Sequence, residues 1–184
     1  MTDETEITPQ LLDEAYRRGF EYLEKMGGCA QTVFSAIMDT LGYQDDLVIN
    51  EIWKGTIGLS GGTGAMATGT YGAMAGAAIA ISYSFGFTLE DFEQDNSKRF
   101  NVYTAVVEVG RRMQEKYGSI QCQEVQFQLW GKSYRFTNPQ AAQEFSKMWE
   151  NAQGDFECSK VTGDLAKWGV EIILEHNPQF SRRK

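Results

Sequence analysis

Histidine is nearly missing from this chain: 184 residues hold a single one, His176. One imidazole cannot build a multi-histidine metal site, and no paired Glu-x-x-His motif of a di-iron bundle is present. A Ser-His-Asp or Cys-His device would have to use this residue, which falls near the tail, in the last turn of a helix where a cation suits the dipole. Basic charge is also short. Seventeen Lys and Arg stand against twenty-five Asp and Glu, a formal net charge of −8. Such a chain repels phosphate backbones, and its one basic run, Arg182, Arg183 and Lys184, is too short to offset this, so nucleic acid is set aside. Cysteine is limited to Cys29, Cys122 and Cys158. No Cys-x-x-Cys occurs, which excludes a local zinc or thioredoxin-like motif, and an odd count argues against a disulfide framework. The opening MTDETEITPQ is acidic and has neither the charged-then-apolar pattern of a secretory signal nor a twin-arginine leader. The expected compartment is the cytoplasm, where thiols stay reduced.

What is abundant is helical periodicity. Thr8-Pro9 reads as an N-cap followed by proline in the first turn, with Leu12, Tyr16, Gly19, Leu23 and Met26 at three- and four-residue steps. Gly27-Gly28 ends that helix. A second helix begins near Cys29, with Val33, Ile37 and Leu41 on one face, and stops at Gly42. Asp45 or Asp46 caps a short third helix carrying Ile49, Ile52 and Trp53. A long helix covers residues 96–117, with Phe100, Tyr103, Val107, Gly110 and Met113 facing inward. Cys122 opens a shorter helix through Trp130. Thr137-Asn138-Pro139 starts another, leading into Phe145, Met148 and Trp149, and the last runs from about Ser159 to His176. No run alternates as a strand would. The expectation is an all-α, compact single-domain helical bundle over residues 1–184, with a glycine-rich loop.

That loop lies at residues 55–76, GTIGLSGGTGAMATGTYGAMAG. Its first half reads as irregular; from about Gly69 to Phe85 the chain reads as a buried helix. The uncharged stretch 69–87 contains Gly72-x-x-x-Gly76, a helix-dimer pattern in bilayers. Ser82, Tyr83 and Ser84 interrupt it and no basic flank accompanies it, so no membrane span is expected. The loop lacks the Gly-Lys-Ser/Thr ending of a P-loop, and Gly62-x-Gly64 continues as Ala-Met-Ala, so the dinucleotide fingerprint fails. Two readings remain for its glycines. Gly62, Gly64 and Gly72 contact a cofactor or cradle an anion at the following helix, or they permit close backbone packing against a neighbour.

Each cysteine falls at or next to an expected helix start, where the positive end of the dipole lowers a thiol's pKa and favours the thiolate, the form that ligates metal or attacks a disulfide. Three such thiols in separate segments could converge. Against this stands burial of free cysteine as a small apolar filler. The four tryptophans, Trp53, Trp130, Trp149 and Trp168, read as core and interface residues rather than a cofactor cage.

Four segments in order carry a resemblance: GGCAQTVFSAIMDTLG, GGTGAMATGTYGAMAGAA, KYGSIQCQEV and ECSKVTGDLAKWGVEIILE, spanning residues 27–175. Together they resemble the C_GCAxxG_C_C family of redox-active proteins. That family's pattern has four cysteines, the second in Cys-Gly-Ala-x-x-Gly. The first, third and fourth map to Cys29, Cys122 and Cys158. The second falls on Tyr71, in Tyr71-Gly72-Ala73-Met74-Ala75-Gly76. The resemblance implies redox activity, and for relatives iron–sulfur binding, since four thiolates satisfy such a cluster. A phenolate can ligate iron too, but tyrosine's reference pKa of ~10 opposes it.

The expected site is therefore one pocket of Cys29, Tyr71, Cys122 and Cys158, the three cysteines doubling as metal ligands, walled by the glycine-rich loop. Electron transfer or thiol or iron–sulfur redox chemistry leads, with a redox partner protein or small molecule as counterpart. A metal-free small-molecule-binding protein or enzyme is the alternative, with Tyr71 as donor or acid, and a structural partner subunit the third. A homo-oligomer, a twofold dimer, is expected from the aromatic content and the Gly/Ala-rich helices.

Overall fold

Thr8 starts the first helix, α1 (Pro9–Met26): its side chain accepts from the Leu11 amide and Pro9 occupies the first turn. The computed structural model describes residues 7–152, 154–177 and 180; the acidic stretch before residue 7 and the basic run at 182–184 lie outside them. After Gly27 and Gly28, both at positive φ, α2 (Cys29–Thr40) begins. Asp46, not Asp45, caps α3 (Leu47–Thr56) through the amides of Val48 and Ile49. Then come α4 (Gly72–Ser84), α5 (Leu89–Gln94), α6 (Arg99–Tyr117), α7 (Cys122–Trp130), α8 (Pro139–Asn151) and α9 (Glu157–His176). Among the described residues the only pairing of extended segments is an isolated antiparallel bridge between Thr70 and Gln121. None of the described helices is long and apolar enough to cross a membrane.

α1, α2, α4, α6 and α9 pack together as a bundle. Its core takes Val33, Phe34, Ile37 and Met38 from α2, Ala73, Ala77, Ala80 and Ile81 from α4, and Val161, Leu165, Val170 and Ile173 from α9. α4 is made of small residues because α2 lies almost on its backbone: a Cβ on Gly76 would stand 2.2 Å from the Ala30 carbonyl oxygen.

Of the five α6 residues that periodicity turns inward, Gly110 and Met113 are buried and three are not. On α6 the buried stripe is Ala105, Val109, Gly110 and Met113, whereas Phe100, Tyr103 and Val107 are 56, 54 and 66% exposed. α6 carries two apolar stripes, and the one with small side chains faces α4, whose own Gly/Ala surface leaves little room between the helices.

α7 and α8 contribute to an aromatic cluster beside the start of α9. Phe145 and Trp149 of α8 join Trp130 of α7, Tyr134 and Phe136 of the intervening segment, and Phe156 before α9 in a continuous aromatic cluster, with ring centroids 4.6–6.2 Å apart. Phe156 itself is fully buried.

Candidate functional site

The segment between α3 and α4 has an unusual backbone. Residues 61–65 run through five successive positive φ values, and Ala67 makes a sixth. Three of the six, Thr63, Ala65 and Ala67, are not glycine, and each pays the steric cost of the left-handed region. The conformation is held by backbone bonds within the loop, including Gly64 N–H to Gly58 C=O at 2.8 Å and Ala67 N–H to Gly61 C=O at 2.9 Å. It is also stitched to α7. The Cys122 and Gln123 amides donate to the carbonyls of Gly69 and Ala67, at 3.0 and 2.8 Å, while the Tyr71 amide donates to Ile120 at 2.8 Å.

Three helix starts meet at one cavity beside this loop. Cys29 is the first residue of α2, Cys122 the first of α7 and Cys158 the second of α9. Tyr71 caps α4 with its backbone extended and is 1% exposed. All four line a cavity of about 140 Å³, together with the polar Ser60 and Gln126, the small Gly61 and Ala65, and the apolar or aromatic Leu23, Tyr134, Phe136, Phe145 and Trp149. None of the lining residues carries a charge.

Every sulfur has a defined environment. The Tyr71 hydroxyl donates to Cys158 Sγ at 2.8 Å. Gln126 Nε2 donates to Cys122 Sγ at 3.3 Å, and Gln126 Oε1 accepts from the Tyr134 amide. Around Cys29, the backbone of Gly61, Cys29 and Ala73 and the Ser60 side chain favour the thiolate and work against burial. Ser60 in turn accepts from the Ala30 amide and donates to Gln31.

The helix starts nevertheless do not yield thiolates. Burial pushes all three thiols up, Cys122 to about 12, with Cys29 and Cys158 also raised. Two facts explain the departure from the sequence expectation. Desolvation of an apolar pocket outweighs a partial dipole charge. The amides at the start of α7 are also already bound to loop carbonyls, and Glu24 of α1 accepts from the Phe156 amide and the Ser159 hydroxyl at the start of α9. At Cys29 the neighbouring backbone and Ser60 oppose the desolvation in part. Burial and the neighbouring sulfurs likewise raise Tyr71 well above its ordinary value, so it stands as a neutral phenol.

Of the glycines named from sequence, two press directly on the site. A Cβ on Gly72 would lie 2.4 Å from Cys29 Sγ, and one on Gly62 would lie 2.6 Å from Cys122 Cβ. Gly64 has open space at that position and does not line the cavity. Close approach to the cysteines, rather than a phosphate cradle, is what Gly62 and Gly72 provide.

The donor set does not suit a cluster held by four thiolates. Among the described residues no group of three Cys, His, Asp or Glu side chains is gathered closely enough to hold a metal ion. The fourth residue of the site, Tyr71, is a phenol that keeps its proton and bonds to Cys158. Ser60, Gln126, Tyr134 and Phe136 escaped the sequence reading. Only the aromatic density of WGKSYRF, in an otherwise polar stretch, hinted at the wall they form.

A family model described as "Putative redox-active protein (C_GCAxxG_C_C)" matches residues 28–172. Neither a curated protein nor a solved structure matches the chain.

Proposed function

The chain belongs to the C_GCAxxG_C_C family, and from that membership we propose that it is a redox protein working through the thiols of its cavity, with Tyr71 standing where a fourth thiol would be. The observation that carries this is the Tyr71 hydroxyl donating to Cys158 Sγ at 2.8 Å inside a pocket that Cys29 and Cys122 also line. A phenol so placed stabilises sulfur chemistry; it does not complete a cluster.

Cys29 takes the attacking role. Of the three thiols it is the one whose upward shift is opposed by several neighbouring groups, the backbone of Gly61, Cys29 and Ala73 together with Ser60. In one turnover two S–H bonds break and one S–S bond joins Cys29 to a second cavity thiol. Two electrons and two protons pass to the partner, a disulfide-bearing protein or a small molecule. This chemistry fits a cytoplasmic setting, where thiols begin reduced. A twofold homodimer accompanies it, supported by the exposed apolar stripe Phe100, Tyr103 and Val107 on α6. The second reading, small-molecule binding without redox chemistry, draws on the uncharged aromatic wall of the same cavity.

The test is a thiol count by alkylation and mass spectrometry, with iron and sulfide assays, on protein purified and reconstituted without oxygen. The expected result is negligible iron and sulfide, three alkylated cysteines when reduced and one after oxidised glutathione, with a mass loss of two hydrogens. Stoichiometric iron and sulfide would replace this reading with a cluster; three thiols untouched by the oxidant would move it to binding alone.

A further inference from the structure

The cavity has a size, a polarity and an inventory of free hydrogen-bonding groups, and together these restrict its occupant. A volume of about 140 Å³ is close to that of dry engineered cavities of roughly 150 Å³ that take up benzene. Leu23, Tyr134, Phe136, Phe145 and Trp149 line it, with ring faces and edges available to a flat guest. No lining residue is charged, so a charged guest would lose its hydration without a counter-ion. The polar side chains of Tyr71, Gln126 and Ser60 are already engaged. Tyr71 donates to Cys158, Gln126 uses both ends of its amide on Cys122 and Tyr134, and Ser60 is bonded to Ala30 and Gln31. A guest that sought hydrogen bonds from these three side chains would have to break one of them.

We propose that the cavity binds a neutral, single-ring apolar molecule, seated against Phe145 and Trp149 with one edge on the cysteine sulfurs. This rests on the cavity being the working site, and it names the ligand class that the working site admits. A neutral guest also matches thiols held in their protonated state by burial.

Toluene is the probe, with benzoate as its charged counterpart of similar size, and melting temperature and ligand-detected NMR are the readouts. At a toluene concentration about tenfold above its dissociation constant, the wild-type melting temperature should rise by about 3 °C or more. Saturation transfer from the aromatic protons of the protein should reach toluene, and benzoate should produce neither effect. Leu23→Trp, which fills the cavity, should abolish the shift. Should Leu23 prove too deep to replace without unfolding, Phe136→Trp at the half-exposed rim supplies the same block. No shift and no transfer with wild type, equal effects from benzoate, or a full shift retained in a folded blocking variant would each overturn the proposal. The thiol count described above does not involve the probe, so loss of toluene binding with intact thiol oxidation sinks only the ligand class. Toluene binding without thiol oxidation sinks only the redox reading.

Discussion

Tyr71 is the residue on which the chemistry turns. At this position a phenol is buried and bonded to a thiol. Burial is the largest influence on Cys158 and pushes it up, while the Tyr71 hydrogen bond opposes that by stabilising the thiolate. Tyr71→Phe should therefore slow iodoacetamide labelling of Cys158 several-fold and cost about 1 kcal/mol of stability. Peptide-resolved labelling and urea unfolding measure the two effects. Unchanged labelling would mean the hydroxyl does not tune the sulfur. Because all three thiols are raised, labelling of the native protein should climb about tenfold per pH unit from about 7 to 9 without a plateau. A plateau below pH 8 would reveal a preformed thiolate.

At the scale of elements, the glycine-rich loop and the helix that follows it pull in opposite directions. Thr63, Ala65 and Ala67 sit at φ 67, 58 and 62°. Replacing any one with glycine removes a steric cost of about 1 kcal/mol and should raise stability by a comparable amount, less the entropy that glycine adds to the unfolded chain. Gly76→Ala should do the reverse. Helix propensity favours alanine by about 1 kcal/mol, but the new Cβ would meet the Ala30 carbonyl at 2.2 Å. A backbone clash between the two central helices outweighs that gain, and a loss of 2 kcal/mol or more is expected. Denaturant midpoints of the four variants decide both signs.

These elements also mark how far the sequence could be read. Helix starts were legible because caps are local: Thr8, Asp46 and Asn138 each bond to their own following amides. The convergence of Cys29, Tyr71, Cys122 and Cys158 was reached through the resemblance and the helix starts. The face of α6 was not legible, because Phe100, Tyr103 and Val107 repeat with the same period as the buried stripe and only the small surface of α4 selects between them. Nor could composition alone show six positive φ values, three of them at Thr and Ala, since long-range bonds from Cys122 and Gln123 hold that loop. The raised thiols escaped for a related reason: dipole arguments are local, whereas desolvation depends on every wall of the cavity.

For the whole molecule, the buried acids link stability to alkaline pH. Cys122 moves from an ordinary value of 9.0 to about 12 in the fold. As pH rises past about 9 the unfolded chain loses the proton while the folded chain keeps it, so the unfolded state gains. Stability is thus complete below about pH 9 and falls as pH climbs toward 12. Melting temperature should decline steeply over that window, and less steeply in Cys122→Ala. An identical decline in that variant would assign the effect elsewhere. The surface carries its own prediction. Light scattering should find a dimer at micromolar concentration, and Val107→Glu, in the middle of the exposed α6 stripe, should give a monomer. A wild-type monomer would remove the dimer from the proposal.

The most direct test of the thiol account is a redox titration of the intact protein in glutathione buffers, each equilibrium trapped by alkylation and read as intact mass. The account predicts a single two-electron transition in which two of the three cysteines disappear from the labelled count together, lost when Cys29 is replaced by alanine. Three labelled cysteines throughout the titration would contradict it.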